Sequence, residues 1–247
     1  MKIAFCFLTY DIIIRYDIWN TFFENTDINK YVVFIHPKNI INFTPYKFNY
    51  NIVKNRITTT SKDNITIVKA TLKLLEETYK YDKDITHFIF LSQSCIPLYS
   101  FEILYNIITK IPLSLISYID HNRKERYYQL SNNIKKYINH TQFIKQQPNM
   151  ILIKDDVYNL INNDFTLYFH NITCPDEHYF INIILYIFKK NIIKKQITFC
   201  NYDFTKTQAL EFNNISNSFI ETIRNYGFLF MRKLNKKSNI DINFICK

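Results

Sequence analysis

The stretch Ile3-Ala4-Phe5-Cys6-Phe7-Leu8 is an unbroken apolar run at the start of the chain. A strand with one wet face alternates apolar and polar residues, whereas a strand buried on both faces does not. The run therefore predicts a central strand of a parallel sheet that is covered by helices. The chain has 247 residues, of which 47% are hydrophobic, and this is enough for one large domain with its own core.

Helix and strand patterns alternate after this first run. Helical patterns are found at Tyr16–Phe23, Ile65–Tyr79 and Phe101–Ile111. Each is followed by a strand-like run, at Tyr31–Ile35, Phe88–Leu91 and Leu115–Ile119 respectively. This β-α-β-α-β order predicts an α/β fold with a mostly parallel central sheet flanked by helices. Further strands are predicted at Met150–Ile153, Ile197–Phe199 and Phe228–Met231. Further helices are predicted at Val157–Ile161, Ile181–Phe188 and Phe219–Tyr226.

We expect a single domain over residues 1–247. The polar segment 120–147 is predicted to be an irregular surface excursion, and 236–247 to be a tail. The apolar run at the start is too short to span a membrane, and no signal-peptide cleavage pattern follows it. By default, the sequence predicts a soluble chain.

Composition excludes several classes of protein. Gly227 is the only glycine, so neither a G-x-G-x-x-G turn nor a P-loop can be formed. The net charge of +10 favours anionic partners such as nucleotides. The charge would also suit a nucleic-acid-binding protein, but no recognition motif accompanies it, so we expect no specific nucleic acid partner.

The sequence does not predict a metal site. The five cysteines form no C-x-x-C motif. A spacing of His170, Cys174 and His178 could suggest zinc, but it crosses Pro175 and lacks a fourth ligand nearby.

The segment Cys174-Pro175-Asp176-Glu177-His178-Tyr179-Phe180 supports two interpretations. Pro175 suits the first turn of a helix, and acids there are stabilised by the helix dipole, so the segment could simply be a helix start. Alternatively, Glu177 is a general base at the mouth of a cleft. Sequence spacing alone leaves both open.

Other polar residues directly follow predicted strands. Thr9, His36 and Ser92 each end such a run. Ligands of open parallel sheets bind beyond the carboxyl ends of the strands, so these residues are candidates for the lining of a cleft. Ordinary strand-to-helix loops would give the same pattern.

Several segments, in order, resemble the core-2/I-branching β-1,6-N-acetylglucosaminyltransferase family (glycosyltransferase family 14), most closely its plant-type branch. The matching segments are K-I-A-F-C-F-L-T (2–9), I-W-N-T-F-F (18–23), Y-V-V-F-I-H-P-K (31–38), H-F-I-F-L-S-Q-S-C-I-P-L-Y-S-F (87–101), Q-P-N-M-I-L-I-K (147–154), C-P-D-E-H-Y-F (174–180) and F-L-F-M-R-K-L (228–234). The longest match resembles the plant-type F-V-L-L-S-x-S-C-I-P-L, and residues 174–180 resemble the P-D-E-H-Y element.

The resemblance implies a GT-A-like fold and an inverting, metal-independent glycosyltransferase. The donor would be a UDP-sugar, with N-acetylglucosamine as the sugar, and the acceptor would be a glycan or glycoprotein; no cofactor is expected. The family's catalytic base falls on Glu177, and its basic residue that contacts the donor diphosphate falls on Lys233, with Arg232 adjacent.

Further positions are candidates for contact with the two substrates. On the donor side they are Thr9, His36 and Arg56. On the acceptor side they are Asp176, His178 and Ser92.

These residue types suit the reaction. A carboxylate can take the proton of the attacking hydroxyl, and a fixed cation can stabilise the departing diphosphate. Many enzymes with this fold use an Asp-x-Asp motif to hold a metal for the second task. The triplet Asp82-Lys83-Asp84 precedes its strand, at the wrong end for the cleft.

The chain departs from the family pattern in its predicted nucleotide pocket. Pro37 and Lys38 follow His36, where animal members have an aspartate. A second diphosphate-binding cation has no direct match, although Lys206 or Arg224 could substitute. An alternative hypothesis is therefore a catalytically inactive relative that binds glycans or nucleotide sugars.

Overall fold

The computed structural model describes residues 1–40, 46–61, 64–119, 124–202 and 209–246. Short 3-10 turns at Thr166–Tyr168 and Pro175–Glu177 and a π-helical turn at Ile183–Ile187 accompany the longer elements. In chain order, these elements are β1 (Lys2–Thr9), α1 (Tyr16–Phe23), β2 (Tyr31–Pro37), β3 (Asn51–Ile52), α2 (Thr66–Tyr81), β4 (Ile85–Ser92), β5 (Ile96–Pro97), α3 (Phe101–Ile108), β6 (Leu115–Ile119), α4 (Lys124–Tyr128), α5 (Asn132–Lys135), β7 (Lys145–Ile153), α6 (Lys154–Asn162), α7 (Tyr179–Asn182), β8 (Thr198–Cys200), β9 (Phe212–Asn214), α8 (Asn217–Asn225), β10 (Phe230–Arg232), β11 (Leu234–Asn239) and α9 (Ile242–Cys246).

The central sheet has six strands in the order β3-β2-β1-β4-β7-β6. β1 pairs in parallel with β2 and with β4, and β2 pairs in parallel with β3. β7 runs antiparallel to both of its neighbours, so the other strands of the sheet share one direction. The structure therefore confirms the predicted α/β fold with a mostly parallel sheet.

Alternating residues of β1 supply both layers of the core, as the unbroken apolar run predicts. Ala4 and Cys6 belong to a buried cluster that also contains residues of α2 and α6. Phe5 and Phe7 lie on the opposite face, where both rings pack edge-on against Trp19 of α1. The indole N–H of Trp19 donates to the Cys95 carbonyl at 3.0 Å, which ties α1 to the loop after β4.

A three-stranded sheet of order β5-β10-β8 lies beyond the end of β4. β10 pairs antiparallel with β5 and parallel with β8. The amide of Leu234 also donates to the Ser94 carbonyl at 3.2 Å, directly after β4. This small sheet therefore brings Arg232 and Lys233 to the carboxyl end of the central sheet.

Two segments differ from their predictions. The part of segment 120–147 that lies within the described residues is not an irregular surface excursion, because it contains α4, α5 and the start of β7, and it buries Leu130, Ile134 and Phe143. Segment 236–247 is not a tail, because β11 and α9 occupy it as far as Cys246 and bury Ile245. The largely polar sequence of both segments gave no clear helix or strand pattern. A few apolar residues at the right spacing are nevertheless enough to anchor short helices and strands.

Smaller differences concern the ends of helices. α3 ends at Ile108 instead of Ile111, and the helix predicted over Ile181–Phe188 is α7 followed by the π-helical turn.

Within the described ranges, no helix has the combination of length and apolar content that a membrane crossing requires.

Candidate active site

The candidate residues converge on one edge of the central sheet. Leu8 pairs with His36 on one side and with Ser92 on the other, so the ends of β2, β1 and β4 lie side by side. Because β7 runs the opposite way, its first residues reach this same edge. The 3-10 turn Pro175–Glu177 packs against β7, and the small sheet adds β10.

The turn that carries Glu177 is built locally. Cys174 adopts a left-handed conformation with φ of 52°, and Pro175 then fixes the first φ of the turn. The amides of Glu177 and His178 donate to the carbonyls of Cys174 and Pro175 at 3.1 and 3.0 Å. The helix-start interpretation is thus correct for the backbone, although the turn is 3-10 and α7 begins only at Tyr179.

The Glu177 carboxylate lies between two cations. Arg126 donates to its Oε2 at 2.6 Å, and the Lys145 ammonium lies 3.1 Å from its Oε1. The side chain remains 30% exposed. Burial alone would raise the pKa of Glu177, but the hydrogen bond from Arg126 and the charge of Lys145 outweigh it, so the pKa is lowered. Glu177 is therefore an anion at neutral pH.

The neighbours of Glu177 in the sequence are more deeply buried. Asp176 has a buried Oδ1 atom with no hydrogen-bond partner among the described residues. Its burial, followed by the nearby charge of Glu177, raises the pKa of Asp176 to about 6. His178 is 0% exposed, so the protein itself surrounds the imidazole, and direct contact with an acceptor would require it to move.

A second group of charges lies around Cys200 at the end of β8. Burial raises the pKa of the Cys200 thiol to about 12, while Arg232 and Lys233 oppose this shift with their positive charges. The Nε atom of Arg232 is buried and has no hydrogen-bond partner among the described residues. Both predicted diphosphate-binding residues therefore lie close enough to act on one thiol.

Tyr202 links the two groups of charges. Its side chain is 43% exposed, and burial is the main reason that its pKa is raised to about 12. Arg232 lowers this pKa and Glu177 raises it, so both charges act on the same phenol. The charges of the predicted base and of the predicted diphosphate clamp are therefore both felt at this one phenol.

The donor-side candidates form a separate group at the ends of β1 and β2. Thr9 donates from Oγ1 to the Asp11 carbonyl at 3.0 Å, and Arg56 donates to the carbonyls of Pro37 and Lys38 at 3.0 and 3.3 Å. His36 is fully buried, and its Nε2 accepts the N–H of Ile57 at 3.0 Å. Burial, above all, lowers the pKa of His36, so its ring is neutral at pH 7.

Ser92 is the last residue of β4 and pairs with Leu8 of β1. Its hydroxyl is 3.1 Å from the Cys95 thiol, and Asn149 of β7 donates to the same sulfur at 3.2 Å. These contacts join the end of β4 to the loop that follows it and to β7.

Three positions considered in the sequence have other roles or cannot be described. Arg224 donates to the carbonyls of Leu98, Phe244 and Ile245, and its guanidinium lies over the rings of Tyr99 and Phe244, so it is committed to packing. Lys206 lies outside the described residues. Asp82 pairs with Lys2 at the amino end of the sheet, as its position before β4 predicts.

Among the residues that the structure describes, no group of three or more His, Cys, Asp and Glu side chains could hold a metal ion. The Nδ1 atoms of His170 and His178 are hydrogen-bonded to the backbone carbonyls of Leu167 and Ile144.

Sequence reasoning missed Arg126, Lys145 and Tyr202. Arg126 and Lys145 lie in the segment that was interpreted as a surface excursion, and Arg126 meets Glu177 across 51 residues of chain. A useful signal was available for Arg126, because aromatic residues directly follow it and anchor α4: Tyr127 packs on Phe143. For Lys145 and Tyr202 the sequence offered none.

Comparison with known proteins gives a family match over most of the chain. A model of the family described as Core-2/I-Branching enzyme matches residues 3–225. No curated protein matches the sequence.

Two similar solved structures are glycosyltransferases by their descriptions. The apo structure of the bifunctional glycosyltransferase WbbM has 10% sequence identity and a TM-score of 0.46, and the match covers 94% of this chain. This chain therefore spans 45% of the length of the WbbM chain. The galactosyltransferase LgtC, in complex with donor and acceptor sugar analogs, has 13% identity and a TM-score of 0.37, with 74% of this chain and 69% of that chain covered.

Proposed function

The chain belongs to the core-2/I-branching enzyme family, a family of glycosyltransferases, and we propose that it transfers N-acetylglucosamine from its UDP-sugar to a hydroxyl group of a glycan acceptor. The transfer inverts the configuration at the anomeric carbon and needs no divalent metal. Glu177 is the general base, and Lys233 with Arg232 stabilises the departing diphosphate.

The reaction is a single displacement. The acceptor oxygen forms a bond to the anomeric carbon while the bond from that carbon to the β-phosphate oxygen breaks, and UDP leaves with the electron pair. The acceptor proton passes to the Glu177 carboxylate. The transition state has oxocarbenium character, so a base for the nucleophile and a cation for the leaving group are what the protein must supply.

The observation that carries the proposal is the approach of Glu177 and Arg232 to one edge of the central sheet. The turn of Glu177 packs against β7, and β10, which carries Arg232, is held beside the end of β4 by the hydrogen bond from Leu234 to Ser94. An anion and a cation at the same edge suit the two tasks of the reaction, with the anion at the attacking hydroxyl and the cation at the leaving group. The anionic state of Glu177 at neutral pH also suits a base, since a protonated carboxyl could accept nothing.

The leaving-group role is supported by the unused hydrogen-bonding capacity of Arg232. A buried guanidinium N–H without a partner is costly, and a diphosphate oxygen would supply the missing acceptor. Lys233 and Arg232 are permanent charges at neutral pH, so together they can take the place of a metal ion at the diphosphate.

The direct test is an assay of the purified chain with UDP-N-acetylglucosamine, UDP-galactose and UDP-glucose in the presence of a panel of glycan acceptors. We expect transfer from UDP-N-acetylglucosamine, and we expect the product's proton spectrum to show a β-linkage from the α-linked donor. An α-linked product would contradict inversion. Transfer from UDP-galactose or UDP-glucose instead of UDP-N-acetylglucosamine would contradict the proposed donor.

A thermal-shift measurement separates the inactive alternative from the enzyme. A ligand that binds only the native state raises the melting temperature. Stabilisation by a UDP-sugar without transfer or hydrolysis would favour the inactive binding relative. Absence of both stabilisation and turnover would contradict both hypotheses.

A further inference from the structure

We propose that Arg126 and His178 are positioning residues for Glu177: a neutral His178 holds the guanidinium of Arg126, and Arg126 in turn holds the carboxylate that receives the acceptor proton. This inference rests on the proposed function, because it assigns roles around the same carboxylate. It gives His178 a role other than the direct contribution to the acceptor side that the sequence predicts.

The hydrogen bonds fix where the protons of His178 are. Nε2 of the imidazole lies 3.0 Å from Nη1 of Arg126. A guanidinium can only donate, so Nε2 must accept and carries no proton. Nδ1 lies 2.8 Å from the Ile144 carbonyl, which can only accept, so Nδ1 carries the proton. His178 is therefore neutral and in a single tautomer.

The imidazole is also held in place by its neighbours. Asn182 donates to the Ile144 carbonyl at 2.9 Å and accepts the Ile144 N–H at 3.2 Å, so the group that receives the His178 proton is itself held. The ring of Phe143 stacks on the imidazole with centroids 4.5 Å apart and an interplanar angle of 17°. A fixed acceptor thus faces the guanidinium.

One nitrogen of Arg126 connects the fixed imidazole of His178 to the carboxylate of Glu177. Its Nη1 donates both to His178 Nε2 and to Glu177 Oε2, the latter at 2.6 Å. Lys145 contacts the other oxygen, Oε1, at 3.1 Å. With one oxygen held from each side, the carboxylate cannot rotate freely, and orientation of this kind contributes strongly to rate.

Protonation of His178 would break this arrangement. Nε2 would then become a donor that faces another donor, and two positive charges would lie 3.0 Å apart. The charged groups around the cluster are Arg126 from α4, Lys145 from β7, and Asp176 and Glu177 from the 3-10 turn. The neutral phenol of Tyr202 also senses the charge of Glu177. Burial, opposed by the hydrogen bond to Ile144 and assisted by Arg126, lowers the pKa of His178 to about 4.

The proton assignment can be tested without any activity. We expect a long-range ¹H–¹⁵N spectrum of the ring nitrogens to show His178 with its proton on Nδ1 at pH 7 and to show a titration midpoint near 4. Arg126→Met should raise that midpoint, because the cation that faces Nε2 is gone. The ring resonances of His178 are assigned as those that disappear from the spectrum of the His178→Gln variant. A proton on Nε2, or titration at the ordinary value of 6.5, would overturn the proposal.

Kinetics test the positioning role. We expect Arg126→Met to lower kcat by about 100-fold and His178→Leu by about 10- to 100-fold, because the carboxylate loses its orientation. Binding of UDP should be unchanged in both. His178→Gln should recover part of the loss, since its amide oxygen can accept from Arg126. Arg126→Met should also move the acidic limb of kcat/KM to higher pH, since a cation that stabilises the Glu177 anion is lost.

Controls and outcomes separate this inference from the proposed function. His170→Gln and Lys136→Met change exposed groups of the same kinds and should be neutral. If the wild-type chain transfers sugar but folded Arg126→Met keeps its kcat and its acidic limb, the positioning role is wrong and the proposed function stands. If the wild-type chain transfers no sugar, the role falls with the function, and the spectrum still decides the tautomer.

Discussion

Arg126 donates a 2.6 Å hydrogen bond to Oε2 of Glu177, although 51 residues of chain separate them. The contact joins α4 to the 3-10 turn Pro175–Glu177. Together with Lys145, it keeps Glu177 ionised in a half-buried place where burial alone would favour the protonated form. A carboxylate held in this way suits the proposed role of a base, because it is ionised and fixed in orientation.

Removal of the permanent cations should impair departure of the diphosphate. We expect Lys233→Ala and Arg232→Ala each to lower kcat by about 10²- to 10³-fold, as loss of a preorganised electrostatic contact does in other enzymes. Calorimetric titration should also show weaker binding of UDP. Lys236→Ala and Lys237→Ala are matched controls, because these exposed lysines lie on neighbouring β11. Equal activity of all four variants would exclude the clamp.

Chelation should leave the enzyme active. In the proposed mechanism Lys233 and Arg232 supply the positive charge that a metal supplies in other enzymes, so EDTA should change the initial rate little. The measurement compares rates before chelation, after chelation and after addition of manganese. Complete loss with EDTA and recovery with manganese would refute metal independence.

Asp176 should make stability depend on pH. Its pKa is about 6 in the folded chain against an ordinary value of 3.8, so burial of the anion destabilises the fold above about pH 6 and the penalty disappears as the pH falls towards 4. We therefore expect Asp176→Asn to raise the melting temperature by about 6 to 12 °C at pH 7.5 and by much less at pH 4. Asp84→Asn, at an exposed aspartate, controls for net charge. A difference that is the same at both pH values would show that the Asp176 charge does not carry the effect.

The fold was largely predictable because the signals for it are local. The unbroken apolar run of β1 and the helical spacing of α2 specify a two-sided sheet without knowledge of any distant contact. The reversed direction of β7 was not predictable. Its sequence, Lys145–Ile153, has a polar half and an apolar half and contains Pro148, so only its pairing with β4 and β6 defines it.

The site was predictable only in part, because its chemistry depends on contacts between distant segments. Family motifs drew attention to Glu177 and Lys233, but motifs say nothing of which cations surround the acid. His178 illustrates the limit: it stands next to Glu177 in the sequence, which suggested the acceptor side, yet its ring turns inward to Phe143 and the Ile144 carbonyl. Burial of a side chain in a short turn is decided by tertiary packing.

The substitution Glu177→Gln tests the central claim most directly. The amide oxygen can still accept from Arg126, so the fold should survive, but the side chain can no longer take a proton. We predict that transfer falls by at least about 10²- to 10⁴-fold while stabilisation by the UDP-sugar is retained. Glu102→Gln, which changes an exposed glutamate paired with Lys30, should keep full activity. Near-normal turnover by a folded Glu177→Gln protein would contradict the assignment of Glu177 as the base.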